Sequence, residues 1–236
     1  KPVTTPSGDT LAAYTTGQIR ALQSWLKGFH IELAGDQTER ICSFLDELVR
    51  WNQKMNLTGI RSKAGLVQEL LLDSLLPGPY LPETGSFLDV GSGSGFPAIP
   101  LKILKPLLIT RLVEPKKKKA SFLRQVIRLT SLRNTEVFEG RIQDLNPSGQ
   151  GYDVITSRGL THLPRLAEWC GPYLKAGGRM VCFQGSGRET MCRESQEILY
   201  RKRLSHVISI PYTLPGKRRP RQVWILEKQD GPVRSG

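Results

Sequence analysis

The chain has 236 residues, 39% of them hydrophobic, and its formal net charge at pH 7 is +13. That length suits one core-bearing α/β domain with a smaller extension and excludes two full enzymes. The longest apolar stretch, residues 70–76, is interrupted by Asp73 and is too short to span a bilayer. We therefore expect a soluble protein without a membrane partner.

The basic residues are concentrated in the second part of the chain. Residues 1–84 carry 8 basic and 9 acidic side chains, whereas residues 85–236 carry 26 basic and 12 acidic ones. Lysines and arginines that neutralise phosphates release counterions, which gives an affinity independent of sequence. The distribution predicts a polyanionic partner, with nucleic acid as the first candidate.

The four cysteines predict reduced, buried thiols. No two of them form a Cys-x-x-Cys pair, and they lie mainly in apolar segments: Cys42, Cys170, Cys182 and Cys192. This pattern disfavours a disulfide framework and a zinc site. The chain also shows no charged start followed by an apolar signal region. We expect a cytoplasmic location and no bound metal.

The N-terminal part of the sequence is predicted to be helical. Residues 1–16 are rich in Thr, Pro, Ser and Gly and predict a flexible tail. Helical apolar spacing then covers residues 18–29, 36–54 and 64–76. Asp36, with Glu39 three residues later, predicts an N-cap with a capping box. Prolines 77, 79 and 82 end this region, so we expect a helical subdomain over 17–83 and a second domain over 84–236.

After residue 83 the pattern changes to alternating strands and helices, which is typical of a doubly wound, Rossmann-like α/β sheet. The strands are predicted at 86–91, 109–113, 135–139, 152–157 and 179–184, and the helices at 97–105, 117–131, 163–174 and 188–203. Two further strand-like runs, 205–212 and 222–228, flank a basic turn at 217–221. They predict a C-terminal antiparallel hairpin.

A glycine-rich loop follows the first predicted strand. It begins at Asp89 and has glycines at positions 91, 93 and 95. Glycines allow a sharp turn and a close approach of the backbone to a ligand, so a nucleoside cofactor is the expected occupant. A dinucleotide fingerprint needs its third glycine at position 96, where this chain has Phe96. Glu114 ends the second predicted strand, about 20 residues after the loop, and is our candidate ribose ligand.

The loop resembles the first motif of S-adenosylmethionine-dependent methyltransferases, and the whole pattern resembles the GidB/RsmG family. These are bacterial methyltransferases that modify N7 of a guanine in 16S ribosomal RNA of the small subunit. The resemblance covers roughly residues 20–228 and rests on the runs at 51–58, 72–74, 89–100, 122–124, 140–142, 156–158 and 177–178. It implies a class I methyltransferase sheet, S-adenosylmethionine as cofactor, and rRNA or an assembling subunit as partner of a monomer.

The resemblance also assigns the site. It places the cofactor on Gly91, Phe96, Glu114, Ile142, Gln143 and Arg158, and the glycine loop itself adds Asp89, Gly93 and Gly95. Our catalytic candidates are Arg158, Asn56 and Arg141. Arg158 suits a methionine carboxylate, guanine O6, an RNA phosphate or a surface ion pair. Asn56 could instead cap a helix, and Arg141 could pair with Asp144. Two positions depart from the family: Leu70 replaces a usual histidine and Gln184 a usual lysine.

The residues after the fourth predicted strand bear on the reaction. They contain no Asp-Pro-Pro-Tyr run, which disfavours methylation of exocyclic amines. Cys170 lies late on a predicted helix, which disfavours a thiolate mechanism on a pyrimidine carbon. Guanine N7 attacks with its own lone pair and needs only positioning. The alternatives are an RNA-binding protein that senses the cofactor without catalysis, and a methyltransferase on another substrate.

Overall fold

The computed structural model describes residues 16–146, 151–184 and 193–230. The predicted tail up to residue 15 and Cys192 lie outside these ranges. The described helices are α1 (Thr16–Lys27), α2 (Gly35–Met55), α3 (Lys63–Leu66), α4 (Leu72–Leu75), α5 (Ala98–Leu104), α6 (Lys117–Leu129), α7 (Leu163–Cys170) and α8 (Arg193–Arg201). A π-helical turn, Val67–Leu71, joins α3 to α4 without a break. A helix long and apolar enough to cross a membrane is not found in the described part of the chain.

The sheet has seven strands in the order β3-β2-β1-β4-β5-β7-β6. Their bounds are β1 (Gly85–Val90), β2 (Leu108–Val113), β3 (Thr135–Phe138), β4 (Tyr152–Ser157), β5 (Leu174–Gln184), β6 (Leu204–Tyr212) and β7 (Arg221–Lys228). The first five strands pair in parallel, whereas β7 runs antiparallel to both β5 and β6. The doubly wound α/β prediction and the C-terminal hairpin are confirmed.

The start of α2 differs from the prediction. Its N-cap is Ala34, whose N–H donates to the Gln37 side-chain oxygen at 3.0 Å, so the helix begins at Gly35. The predicted cap at Asp36 is wrong, because Gln37 already supplies an acceptor three residues after Ala34. Asp36 lies inside the first turn and pairs with Arg40 at 3.6 Å.

The end of α7 also differs from the prediction. The helix stops at Cys170 instead of 174, and a 3₁₀ turn containing Pro172 follows. Proline lacks the N–H that an α-helix would need there. The fifth strand therefore starts at Leu174, five residues earlier than expected, and residues 175–178 bulge out of the ladder between β4 and β5.

The N-terminal helices and the sheet share one core. Leu45 and Leu48 of α2 lie in the same apolar cluster as Phe87 of β1, and α2 packs against α5 and α6. The opposite face of the sheet packs against α7 and α8 through a second cluster that includes Leu88 and Leu166. The division into domains at residue 83 remains a prediction. Among the described residues, the helices before residue 83 share their core with the sheet.

Candidate functional site

The glycine loop follows β1 at the centre of the sheet. The loop lies at the carboxyl end of β1, beside the point where the strand order reverses between β1 and β4. Open α/β sheets bind ligands at such a point. Gly91, Gly93 and Gly95 have φ of 76°, 56° and 92°, which L side chains adopt only with strain. The N–H groups of Gly91 and Ser92 donate to the carbonyl of Val113 at 2.9 and 3.1 Å, fixing the loop against the end of β2.

Glu114 meets this loop directly. Its carboxylate accepts the N–H of Gly93 at 2.9 Å and the N–H of Lys116 at 2.8 Å. Each carboxylate oxygen can accept a further hydrogen bond, because it carries two lone pairs. The structure thus brings together the two features that the sequence singled out, a glycine loop and an acid about 20 residues later.

A cavity of about 330 Å³ opens beside Gly91 and the end of β2. Its lining consists of Val90, Gly91, Val113, Pro115, Arg141, Ile142, Gln143, Asp144, Leu160 and Trp169. The predicted positions 91, 141, 142 and 143 all face this one space. Leu160 and Trp169 were not predicted, because an apolar residue in a turn and a tryptophan on an amphipathic helix have no sequence signature of a ligand pocket.

Asp89 lies under the loop and is almost completely buried. Its Oδ1 accepts the Thr156 hydroxyl at 2.5 Å, whereas its Oδ2 has no hydrogen-bond partner in the described part of the chain. Burial raises the pKa of the Asp89 carboxyl to about 6, with the hydroxyls of Thr156 and Ser92 opposing the rise and Glu114 adding to it. A buried acid with a free oxygen calls for a cationic or hydrogen-bonding partner.

Two predicted cofactor positions point into the core. A Cβ on Gly95 would lie 2.9 Å from Cγ1 of Ile99 and 3.2 Å from the ring of Phe44. Phe96 packs its ring 5.0 Å from that of Phe44 and is buried. These residues fix α2 against the loop, and a ligand contact at either position would have to use the backbone.

Arg158, the first residue after β4, is bonded inside the protein. Its two terminal nitrogens donate to both carboxylate oxygens of Asp73 at 2.7 and 3.1 Å. They also donate to the carbonyls of Glu69 and Leu70 in the π-helical turn at 2.8 and 3.1 Å. Of the four roles left open by the sequence, the structure displays an ion pair, but a largely buried one rather than a surface contact.

Asp73 has further partners. The Tyr212 hydroxyl donates to its Oδ2 at 3.0 Å, and Arg221 lies 3.6 Å from the same atom. Burial raises the pKa of the Asp73 carboxyl, whereas Arg158, Tyr212 and Arg221 oppose that rise. Burial and the neighbouring carboxylate raise the pKa of Tyr212. The network ties the C-terminal hairpin to the helical segment 63–75.

The basic turn at 217–221 is partly neutralised by this segment. Lys217 pairs with Glu69 at 3.2 Å, and Arg221 pairs with Asp73. Arg218 and Arg219 are exposed, and the described residues offer neither of them an ion pair. Only part of the basic turn therefore presents free charge.

The other two catalytic candidates lie apart from Arg158. Arg141 precedes the 3₁₀ turn Ile142–Asp144 at the cavity. Its backbone N–H, rather than its guanidinium, donates to the Asp144 carboxylate at 2.7 Å. Asn56 is the C-cap of α2, with φ 48° and ψ 56°, and its exposed side chain lines a second cleft. The structure does not gather the three candidates into one cluster.

The two departures from the family pattern also have a place in the fold. The Leu70 carbonyl accepts the hydroxyl of Ser74 as well as Arg158, and its side chain packs on the core. Gln184 ends β5 opposite Gln222, and its side chain lies outside the described residues.

The described thiols are buried and free. Burial raises the pKa of Cys42 to about 11 and that of Cys182 to about 12, and it also raises that of Cys170. Such thiols are poor nucleophiles at neutral pH. Within residues 16–146, 151–184 and 193–230, no group of three or more His, Cys, Asp or Glu side chains is placed to hold a metal ion.

Comparison with known proteins decides the family. The family described as rRNA small subunit methyltransferase G, GidB, matches residues 37–213. The chain belongs to this family. The Ribosomal RNA small subunit methyltransferase G of Chloroflexus aggregans is 36% identical over 208 residues, 84% of each chain. That of Syntrophotalea carbinolica is 34% identical over 215 residues, 89% of this chain and 98% of the relative.

Solved structures agree on the fold. A Bacillus subtilis tRNA methyltransferase superposes with a TM-score of 0.54 at 15% identity, over 69% of this chain and 67% of its own. A ribosomal protein L11 methylase from Lactobacillus delbrueckii superposes with a TM-score of 0.54 at 14% identity, over 73% of this chain and 81% of its own. At such low identity these similarities establish only the Rossmann-like class I fold. The family match and the named relatives confirm the prediction that this member of the GidB family is a methyltransferase.

Proposed function

We propose that the protein transfers a methyl group from S-adenosylmethionine to N7 of a guanine in 16S ribosomal RNA. The relatives named above are called ribosomal RNA small subunit methyltransferases. The observation that carries the cofactor assignment is the Glu114 carboxylate, held by the Gly93 amide beside a cavity of about 330 Å³. The TYW2 protein of M. jannaschii, which has the same fold at a TM-score of 0.51 and 13% identity, was solved in complex with AdoMet.

The residues present fit this cofactor. Glu114 has free lone pairs for the ribose hydroxyls, and the buried Oδ2 of Asp89 lacks a donor within the described residues. We assign that donor to the amino group of the methionine part, whose positive charge offsets the cost of burying the carboxylate. A Cβ on Gly93 would meet nothing closer than the Gly91 carbonyl at 3.6 Å, so the loop leaves space for a ligand.

The apolar part of the cavity suits a planar base. Ile142, Leu160 and Trp169 supply apolar walls, and Gln143 supplies an amide for hydrogen bonds at the edge of the ring. Leu160 also covers the loop, because its Cδ1 lies 3.0 Å from the position that a Cβ on Gly91 would take. We assign the adenine to this space and the ribose to Glu114.

The chemistry requires little from the protein beyond positioning. S-adenosylmethionine, when bound, supplies a methyl group on a cationic sulfur that an aromatic nitrogen lone pair can attack. Among the described residues, the cavity lining contains no histidine, lysine or cysteine, and its one carboxylate, on Asp144, accepts the backbone N–H of Arg141. A reaction that releases no proton from the acceptor in its transition state does not require a base from this lining.

We assign different roles to the three catalytic candidates. Arg141 borders the cofactor cavity with an exposed side chain, so it can contact the RNA at the reacting guanine. Asn56 lies at the second cleft and can contact RNA there. Arg158 acts through Asp73 as a positioning residue for the helical segment 63–75, because its terminal nitrogens already have acceptors. The protein then works as a cytoplasmic monomer on rRNA or on an assembling subunit.

Two measurements test this function. Mass-spectrometric mapping of 16S rRNA from cells with and without the gene should locate a methylguanine that depends on the protein. Calorimetry should detect S-adenosylmethionine binding in the low micromolar to millimolar range typical of small ligands. Binding of S-adenosylmethionine without methylation of any rRNA would support the non-catalytic alternative, and binding of NAD in its place would contradict the cofactor assignment.

A further inference from the structure

A second cleft, of about 610 Å³, lies at the end of α2. Its lining consists of Val49, Asn52, Gln53, Lys54, Met55, Asn56, Arg61 and Lys118. Three elements contribute a cation each: Lys54 comes from α2, Arg61 from the loop before α3, and Lys118 from α6. Among the described residues the lining holds no acidic side chain, so their formal charge is +3.

The three cations are exposed, and none has an ion pair within the described ranges 16–146, 151–184 and 193–230. The neighbouring Lys63 differs, because it pairs with Asp46 at 2.6 Å. Charges that repel one another in a concave surface destabilise the folded chain unless an anion enters. The cleft is therefore suited to a polyanion.

The cleft is held open by a fixed backbone. The Asn52 side chain donates to the Ile60 carbonyl at 3.1 Å and accepts the Thr58 N–H at 2.9 Å. These two bonds anchor the loop that carries Arg61 against α2. Asn56 allows the chain to leave the helix because asparagine tolerates the left-handed conformation. The cationic groups thus stand on a rigid frame rather than on a free loop.

The start of α6 adds to the positive potential. Lys117, Lys118 and Lys119 occupy its first turn, which contains no acidic residue. The positive end of the helix dipole disfavours cations at this end of the helix. This unfavourable arrangement becomes favourable when a phosphate group binds.

The cleft adjoins the cofactor loop. Pro115 lines the cofactor cavity, and Lys118, three residues later, lines the second cleft. Between them, the Lys116 N–H donates to Glu114. The Nζ of Lys119 lies 3.9 Å from the position that a Cβ on Gly93 would take. A strand of nucleic acid seated in the cleft would therefore pass close to the glycine loop.

From this geometry we propose that the cleft formed by Lys54, Arg61 and Lys118 binds phosphates of the rRNA strand that flanks the target guanine. This inference rests on the proposed function. The described part of the lining offers no aromatic ring for base stacking: the nearby Trp51 packs its ring 5.6 Å from that of Phe122 and donates its N–H to Glu47. The cleft therefore positions the backbone and adds affinity that is independent of base sequence.

The test compares two triple variants. The cleft variant is Lys54→Gln, Arg61→Gln, Lys118→Gln; the control is Lys27→Gln, Arg133→Gln, Arg201→Gln. The control residues are exposed, have no ion pair among the described residues, and lie at the ends of α1 and α8 and before β3, away from the glycine loop. The probe is 16S rRNA. Binding is measured over a salt series, and methyl transfer over a series of RNA concentrations.

The cleft variant should bind rRNA about tenfold more weakly at 0.1 M salt, and its plot of log affinity against log salt should lose about two units of slope. KM for rRNA should rise while kcat and S-adenosylmethionine affinity stay within about twofold of the wild type. In the wild type, rRNA should also protect Lys54 and Lys118, but not Lys27, from acetylation. The control variant should match the wild type in all of these measurements.

An unchanged salt slope in a folded cleft variant, or an equal loss in the control, would overturn the proposal. Lack of protection of Lys54 and Lys118 by bound rRNA would do so independently of any variant. Failure of the proposed function looks different: the wild type would bind rRNA through the cleft yet transfer no methyl group to it. Methylation with no effect of the cleft variant would remove the cleft assignment alone.

Discussion

Arg158 and Asp73 form a two-pronged ion pair, with N–O distances of 2.7 and 3.1 Å, between the end of β4 and the helical segment 63–75. The same guanidinium reaches the carbonyls of Glu69 and Leu70 in the π-helical turn. π-Helical turns are often found at functional sites. An arginine in this position holds the helical segment at a fixed distance from the cofactor edge of the sheet.

Arg158→Met should lower the free energy of unfolding by about 3–5 kcal/mol, because it leaves Asp73 buried without its main partner. The double variant Arg158→Met, Asp73→Leu should recover part of this loss, since it removes the unpaired charge. Urea unfolding at pH 7.5 measures both effects. A stable Arg158→Met protein that has lost S-adenosylmethionine affinity would instead identify Arg158 as a cofactor ligand.

The sequence predicted most of the fold because each element has a local signal. Apolar periodicity located the helices and strands, and the glycine loop marked the first crossover. The N-cap of α2 was missed because Gln37 and Asp36 are adjacent and both can accept a hydrogen bond near a helix start. The π-helical turn has no local sequence signal, and Arg158, which binds its carbonyls at Leu70 and Glu69, is 88 and 89 residues away.

Asp89 should give the cofactor-free protein a measurable pH dependence. Its pKa is about 6 in the folded chain, against an ordinary value of 3.8, so the folded state binds a proton more readily than the unfolded state. The free energy of unfolding should therefore fall as pH rises from about 4 to 6, with the full penalty above that range. Two pKa units correspond to on the order of 3 kcal/mol.

Asp89→Asn tests this assignment. The variant should lack the decline between pH 4 and pH 6, while Thr156 can still donate to the amide oxygen. Its affinity for S-adenosylmethionine should fall, because a neutral amide does not attract the cofactor's amino group. Urea unfolding from pH 4 to 8 and calorimetry supply the two measurements. A wild-type pH profile in the Asn variant would show that another group titrates.

Two glycines of the loop should respond differently to substitution. Gly93→Arg should abolish S-adenosylmethionine binding, because the surroundings of Gly93 are open and the new side chain would occupy the ligand space. Gly95→Ala should mainly destabilise the fold, because its Cβ would meet Ile99 and Phe44 at 2.9 and 3.2 Å. Calorimetry and thermal unfolding on both variants separate the effects. Equal loss of stability in both would contradict this division.

The sequence predicted a site residue only where its chemical type and its spacing along the chain from another motif together indicated a role. Glu114 and the loop could be paired because an acid at a strand end has a known spacing from the glycines. The partners of Arg158 could not be deduced, since Asp73 and Tyr212 come from distant parts of the chain. The cationic cleft was equally hidden, because Lys54 and Lys118 become neighbours only when α2 packs against α6.

The four basic residues of the turn at 217–221 should form two pairs with different roles. Arg218→Gln with Arg219→Gln should weaken rRNA binding and flatten its salt dependence by about one unit, with unchanged stability, because both side chains are exposed and free of acidic partners in the described chain. Lys217→Gln with Arg221→Gln should instead loosen the contacts to Glu69 and Asp73. Salt-dependent binding and urea unfolding of both pairs decide this.

Methyl transfer to guanine N7 should need no side-chain base. The three histidines, His30, His162 and His206, are exposed, and none is among the described residues that line the cofactor cavity. Single-turnover transfer at saturating cofactor and rRNA should therefore be nearly independent of pH between about 6.5 and about 8.5. Replacing each histidine with glutamine should leave this rate unchanged, apart from effects on folding.

The acceptor atom can be tested directly with rRNA that carries 7-deazaguanine at the methylated position. This analogue replaces N7 with a carbon and removes the lone pair, while the phosphates that contact Lys54, Arg61 and Lys118 remain. It should bind with wild-type affinity and accept no methyl group. Methylation of the analogue, or a rate that rises steeply with pH through a titrating group, would place the acceptor at an amine or a carbon, and the guanine-N7 assignment would fail even if the cofactor site is correct.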